Sequence, residues 1–205
     1  SVFEIAAASD TALGANDLTY SGEAGSQFNQ DGHVSGSGNV IVDPQVYLSV
    51  TGTQTYTGDT TIWPEATFEA TIPSSLGTTA GDTTILDGGT LRLNPSAPMT
   101  IAENISVVGE GASTRTGAIE LYAGGSDDYI MSGAITLDGD TTFGNAVTGD
   151  DFLQFSGAIS GTGNLTLAAD SDAGVIEFIG TAVNTYDGDT NVLASVFFGN
   201  RTGAG

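Results

Sequence analysis

Four closely spaced aspartate pairs are the residues in this chain whose type and spacing could do chemistry: Asp127 with Asp128, Asp150 with Asp151, Asp170 with Asp172, and Asp187 with Asp189. A retaining or inverting glycosidase needs two carboxyls facing each other across a cleft. A lyase would also want a basic residue beside them, and the bases are few: Arg92, Arg115, Arg201 and one histidine, His33, spread along the chain. Most of the aspartates stand next to glycine or serine, where a side chain bonding its own turn backbone accounts for them. The expectation is a chain without catalytic residues.

Cation binding suits these acids better. Asp138-Gly139-Asp140 and Asp187-Gly188-Asp189 each put two carboxylates within reach of one hard cation. Asp138, Asp140, Asp187 and Asp189 are therefore the candidate calcium ligands, with solvated turn aspartates as the competing reading. The glycine-rich nonapeptide of calcium-binding β-rolls does not occur, and Gly124-Gly125-Ser126-Asp127-Asp128 only echoes it. His33 lies in a Gly/Ser/Asp-rich stretch with no legible partner for a metal role. The N-x-[ST] sequons at Asn104, Asn164 and Asn200 read as chance matches.

Charge narrows the range of partners. The 205 residues include 25 acidic side chains against three arginines and no lysine, a formal net charge of −22. Such a chain cannot neutralise phosphates, which excludes nucleic acid, and anionic membrane surfaces repel it. The acidity reads as a soluble, self-repelling surface for a salty or cation-rich medium. The lack of lysine equally fits resistance to trypsin-like proteases. No cysteine means no disulfide framework and no thiol site. No apolar run approaches the roughly 20 residues of a membrane helix, so no membrane insertion is expected. The start at Ser1-Val2-Phe3 suits a mature, processed product.

The elements that must position these residues are strands. Helical periodicity is confined to Ile5–Leu13, short and uncapped, worth one turn at most. Elsewhere brief alternation is broken by glycine, as in Thr90-Leu91-Arg92-Leu93, Ile135-Thr136-Leu137 and Val175-Ile176-Glu177-Phe178-Ile179. Period two with β-branched residues means strands with one face inside. Two stretches are near-copies, 36–62 and 161–192. Each opens on Gly-x-Gly-Asn and a short strand, then passes through Thr-Tyr-x-Gly-Asp-Thr at Tyr56 or Tyr186 into another strand. Such a unit cannot bury its apolar face alone, but stacked on copies of itself it can.

Spacing selects the architecture. Gly-Asp-Thr begins at Gly58, Gly81, Gly139 and Gly188; the first gap is 23 residues, and the two Ser-Gly-Ala-Ile copies lie 24 apart. One turn of a parallel β-helix is about that long, roughly 20 to 25 residues. The gaps of 58 and 49 are not clean multiples, so insertions are expected in some turns. Hairpin signals such as Asn-Gly are missing. The chain therefore reads as all-β, a single-stranded parallel β-helix (β-solenoid), right-handed, with about nine rungs forming one domain over residues 1–205. Ile62, Ile85, Phe143 and Val192 should stack inside with threonines beside them on the surface. Tyr56 and Tyr186 should cover corners with their hydroxyls in water, and Trp63 and Phe68 should pack locally.

The repeat resembles the autotransporter-associated β-strand repeat of secreted bacterial surface proteins, on Gly163-Asn164-Leu165-Thr166-Leu167, on Asn184 through Thr190, and on the copy around Tyr56. Ser132 to Thr136 and Ser156 to Gly163 resemble that family's inter-repeat segments, so the likeness covers roughly residues 36 to 205. It implies a passenger-type scaffold at an extracellular or cell-surface location, and no particular activity.

Both ends resemble the same part of a rung, Ser1-Val2-Phe3-Glu4-Ile5 and Ser195-Val196-Phe197-Phe198. Val2, Phe3 and Ile5 with Val192, Val196, Phe197 and Phe198 are the candidate self-assembly residues, since an uncapped apolar rung can stack on another. The expected function is a non-catalytic extracellular filament subunit joined head to tail, at the bacterial surface or in a biofilm matrix. The alternatives are an adhesin or passenger segment displaying Ser126 to Tyr129 or Gly144 to Asp151 to a surface, matrix or host ligand, or a polysaccharide-active enzyme. The chain being a fragment of a longer passenger competes with the filament.

Overall fold

A computed structural model describes residues 2–5, 10–122, 128–147, 149, 151–170 and 174–198. Among them are 23 strands and no helix. Residues 10–12 of the short helical candidate form a strand, because a stacked neighbour supplies backbone partners that an isolated helical turn lacks.

The strands form three sides, and every pairing is parallel, one turn to the next. The first side carries β1 (Val2–Ile5), β4 (Gln27–Gln30), β7 (Tyr47–Val50), β10 (Thr67–Ala70), β12 (Thr90–Leu93), β15 (Ile119–Leu121), the second half of β17 (Ile135–Asn145), β20 (Leu165–Ala169) and β22 (Thr190–Val192). The second side carries β3 (Leu18–Tyr20), β6 (Val40–Val42), β9 (Thr60–Ile62), β11 (Thr83–Ile85), β14 (Ile105–Gly109), the first half of β17, and β19 (Ile159–Gly161). The third side begins with β2 (Asp10–Ala12), β5 (His33–Gly36) and β8 (Thr55–Tyr56). It resumes with β13 (Met99–Ile101), β16 (Asp128–Met131), β18 (Phe152–Phe155), β21 (Val175–Phe178) and β23 (Ser195–Phe198). The result is a β-solenoid of about eight turns, with β22 and β23 opening another.

Alternation decides what each side buries. Val40 and Val42 are buried while Ile41 is half-buried, and Ile135 and Leu137 repeat the pattern around Thr136. Register then stacks like on like. On the first side Phe28, Leu48, Phe68, Leu91, Ile119, Phe143, Leu167 and Val192 form one column. On the second side Ile62, Ile85, Val107 and Leu137 form another. The single ladder expected of Ile62, Ile85, Phe143 and Val192 is thus two ladders. The cause is β17, whose 11 residues run through a corner and pair on both sides. Gly-Asp-Thr at 58 and 81 leads into the second side, whereas at 139 and 188 it leads into the first. The 49-residue gap is two ordinary turns with Gly163 between them, so it needs no insertion.

Three aromatic and polar placements differ from expectation. Tyr56 is 1% exposed, and its hydroxyl meets Thr60 Oγ1 at 2.7 Å inside the stack, so the solvent-facing corner role fails for it. Thr60 and Thr83 are fully buried, whereas Thr61 and Thr84 face outward as expected. Trp63 is 42% exposed, whereas Phe68 packs in the core as expected.

Corners bring backbones into contact, and there glycine is obligatory. A Cβ on Gly58 would lie 2.3 Å from Gly38 O, one on Gly81 2.2 Å from Gly58 O, and one on Gly157 1.8 Å from Gly133 O. With strands roughly 4.8 Å apart, these contacts admit no side chain. Gly157→Ala is expected to cost about 2–3 kcal/mol by overpacking, lowering Tm by roughly 4–12 °C; an unchanged Tm in thermal denaturation would show that the corner yields.

Candidate functional site

The corner aspartates and asparagines form a ladder. Asn39 N donates to Asp17 Oδ1 at 3.0 Å, Asp59 N to Asn39 Oδ1 at 2.8 Å, and Asp82 N to Asp59 Oδ1 at 3.1 Å. Asn104 Nδ2 donates to Asp82 Oδ1 at 3.2 Å, and Ala134 N to Asn104 Oδ1 at 3.2 Å. Each step crosses one turn, spanning 22, 20, 23, 22 and then 30 residues. The ladder supplies acceptors to corner N–H groups, which a turning chain cannot otherwise satisfy. It also explains the repeat motif: tyrosine and threonine bond each other across four residues at Tyr56–Thr60 and Tyr186–Thr190. Between them the glycine permits backbone contact and the aspartate belongs to the ladder.

A second ladder contains two of the calcium candidates. Asn164 donates to Asp140 Oδ1 from N at 2.9 Å and from Nδ2 at 2.8 Å, and Asp189 N donates to Asn164 Oδ1 at 2.8 Å. Those bonds, the backbone one first, hold the exposed Asp140 carboxyl below the usual range. Asp138 is exposed two residues earlier, and Asp187 N donates to Gly161 O. Asp140 and Asp189 therefore sit two turns apart with Asn164 between them. Among the described residues no three or more His, Asp or Glu side chains gather as metal ligands. Asp127, Asp150 and Asp172 lie outside the described residues, as does the side chain of Asp128. His33 does have partners: Thr55 Oγ1 at 2.7 Å and Asp10 Oδ1 at 3.6 Å.

The structure gathers one charged cluster that the sequence reading missed. On the outer surface of the first side, Arg92 stands between Glu69 and Glu120, with Nη1 3.6 Å from Glu69 Oε2 and Nε 3.3 Å from Glu120 Oε1. Its guanidinium lies 3.1 Å from the Tyr122 ring centre. Glu69 also accepts from Ser49 Oγ and Asn94 Nδ2, each at 3.0 Å, and Glu120 from Thr116 N at 2.6 Å. Burial pushes the Glu120 carboxyl up against that last bond. Burial, then Glu69, raises the Tyr47 hydroxyl. This corrects the expectation that no base lies beside carboxylates. All three charged residues are nevertheless buried, and Arg92 separates the two acids instead of leaving a cleft between them. The arrangement compensates buried charge. It lacks the open, facing carboxyl pair of a glycosidase.

Two further features complete the outer surface. An open groove of about 770 Å³ runs along one corner past Glu65, Asp87, Glu110 and Asp140. At the C-terminal turn Val192 is 49% and Leu193 66% exposed, and Val196 is half-buried. Of Val2, Phe3, Ile5, Phe197 and Phe198 the backbone pairing is described: β1 aligns Phe3 with Phe28, and β23 aligns Phe198 with Phe178.

Glu103 is the buried carboxyl with a clear pH signature. Thr83 Oγ1 donates to its Oε1 at 3.4 Å. Burial pushes its pKa up to about 8, opposed by the Thr83 bond and reinforced by Asp82 and Asp59. The folded state then retains a proton that the unfolded chain releases near its ordinary pKa of 4.5. Stability associated with this group is full below that value and is lost as pH rises towards about 8. Glu103→Gln is expected to flatten this fall and to raise Tm relative to the parent at pH above about 8. Parallel Tm–pH profiles for the two proteins would contradict the assignment.

Comparison with known proteins gives one informative likeness. No protein-family model matches the chain, and no solved structure matches it. It is similar to the adhesin BmaC autotransporter of Brucella suis biovar 1 (strain 1330), at 33% identity over 143 residues. That match takes in 66% of this chain and 4% of the adhesin's length.

Proposed function

We propose that this chain is a non-catalytic β-solenoid segment of a secreted or surface-exposed bacterial protein of the adhesin type, a rigid scaffold that itself displays contacts to a host-cell or matrix surface. The supporting observation is the likeness to an autotransporter adhesin in a chain that is a β-solenoid along its described length. The resemblance to autotransporter-associated β-strand repeats points the same way, since the Tyr-x-Gly-Asp-Thr element has a purely structural task in each copy. Buried, mutually compensated charges on the outer surface favour scaffolding over turnover.

Head-to-tail assembly is a second reading, favoured by one observation. The first-side column ends in the half-exposed Val192, and β1 aligns Phe3 with the same column through Phe28. A second copy stacked in register would continue that column. In this reading calcium at Asp138, Asp140, Asp187 and Asp189 would screen the acidic walls of adjacent fibres.

Two measurements test these readings. Displayed on a non-adherent bacterium, the chain is expected to increase attachment to host cells or matrix-coated surfaces; unchanged attachment, with display confirmed by antibody, overturns the adhesive role. Negative-stain electron microscopy of the purified chain, with and without millimolar calcium, decides assembly. Long unbranched fibres support stacking, and isolated short rods in both conditions overturn it.

A further inference from the structure

We propose that residues 110–118 form a strap that folds back across the solenoid wall, latches on Glu65, and seals the Arg92 ion cluster from solvent and proteases. The segment is the insertion in the turn that spans 30 residues between ladder positions, where the four preceding steps span 20 to 23. Its path is unusual for a solenoid, in which each repeat touches only its neighbours. Ser113 donates to Glu65 Oε2 from both N, at 3.1 Å, and Oγ, at 2.7 Å, and Arg115 Nε donates to Thr67 Oγ1 at 3.2 Å. Both pairs are 48 residues apart, twice the reach of an ordinary inter-turn bond. Arg115 also lies 5.7 Å from the Tyr47 ring centre, a further turn back.

The far end of the latch carries its own mark. Glu65 occupies a tight turn closed by Ala66 N donating to Trp63 O at 3.0 Å, with Pro64 before it. Its φ is 59°, in the left-handed region, as is Gln45 at 64° in the turn before, while the turn after has Gly88 at φ 82°. A turn with positive φ at its third residue favours glycine. A glutamate held there, its carboxylate on Ser113, is a strained residue with a contact to maintain. The bonds from Ser113, side chain first, keep the Glu65 carboxyl below the usual range, so the latch stays ionised at neutral pH.

Underneath, the strap is tied down at Thr90, whose Oγ1 donates to Gly117 O at 3.2 Å and accepts from Ala112 N at 2.9 Å. Thr116 N closes on Glu120. The strap therefore lies over outward-facing side chains from several turns, and lifting it would expose the buried Arg92 and free the half-buried Arg115, two of the chain's three trypsin-sensitive residues.

Glu65→Gly separates the latch from the fold, because glycine relieves the positive φ while removing the carboxylate. The full-length Glu65→Gly chain is expected to keep or raise the parental Tm, yet be cut by trypsin after Arg115 about tenfold faster or more. Hydrogen exchange should rise in peptides covering residues 47–50 and 90–93. Glu65→Gln, which retains an acceptor for Ser113, should restore most of the resistance. Equal cleavage of parent and Glu65→Gly, or a parent cut at Arg115 as fast as an unfolded control, overturns the strap. A large fall in Tm for Glu65→Gly also overturns it, since Glu65 would then support the turn itself.

Discussion

Contact between successive turns is the interaction on which this protein depends. A three-strand turn has no second layer to cover its apolar residues, so they find partners directly above and below and across the interior on the other sides. Phe68 is buried because Leu48 and Leu91 flank it in the column, and Phe143 rests 4.5 Å from the Phe155 ring on another side. Close approach at the corners is the condition for that packing, and Gly38, Gly58 and Gly81 provide it by having no side chain to hold the backbones apart. The structure consequently resembles a one-dimensional chain of couplings more than a globule with one centre.

Charge has to be accommodated on that frame. A net charge of −22 works against compaction, and the corner ladders use part of it. There Asp and Asn oxygens accept the backbone N–H groups that turning leaves without strand partners, with Asn39 separating Asp17 from Asp59 and Asn164 separating Asp140 from Asp189. The sequon asparagines Asn104 and Asn164 are rungs of these ladders, which gives them a structural task independent of any modification. Among the buried acids, Glu69 and Glu120 are compensated by Arg92, and Glu103 is held protonated up to about pH 8.

The long turn departs from strict nearest-neighbour coupling. Its hydrogen bonds to Glu65 and Thr67 link turns that otherwise communicate only through the stack between them. In a rod that opens turn by turn, a contact skipping a turn raises the cooperativity of the segment it spans. Such a tie stabilises the middle of the stack, where the outer surface carries buried charge.

The sequence by itself determined the β-solenoid. Glycine at corner spacing, period-two alternation and the 24-residue offset of Ser-Gly-Ala-Ile, which the register confirms by pairing Ile135 with Ile159, are local signals repeated along the chain. It also determined the repeat motif, though the burial of Tyr56 was not legible, because whether a corner tyrosine turns inward depends on space left by the neighbouring turns. The Arg92 cluster was present in outline: Glu69, Arg92 and Glu120 each follow an apolar residue in a short strand. Their meeting required the register between turns of unequal length, and period-two reasoning assigns them to solvent. Tertiary structure alone decided that the insertion bonds back to Glu65 and Thr67, that β17 carries the Gly-Asp-Thr element from one corner to another, and that Ile62 and Phe143 belong to different columns. Local pattern fixes which way a side chain points, but its neighbours follow from how many residues each turn spends before the next one arrives.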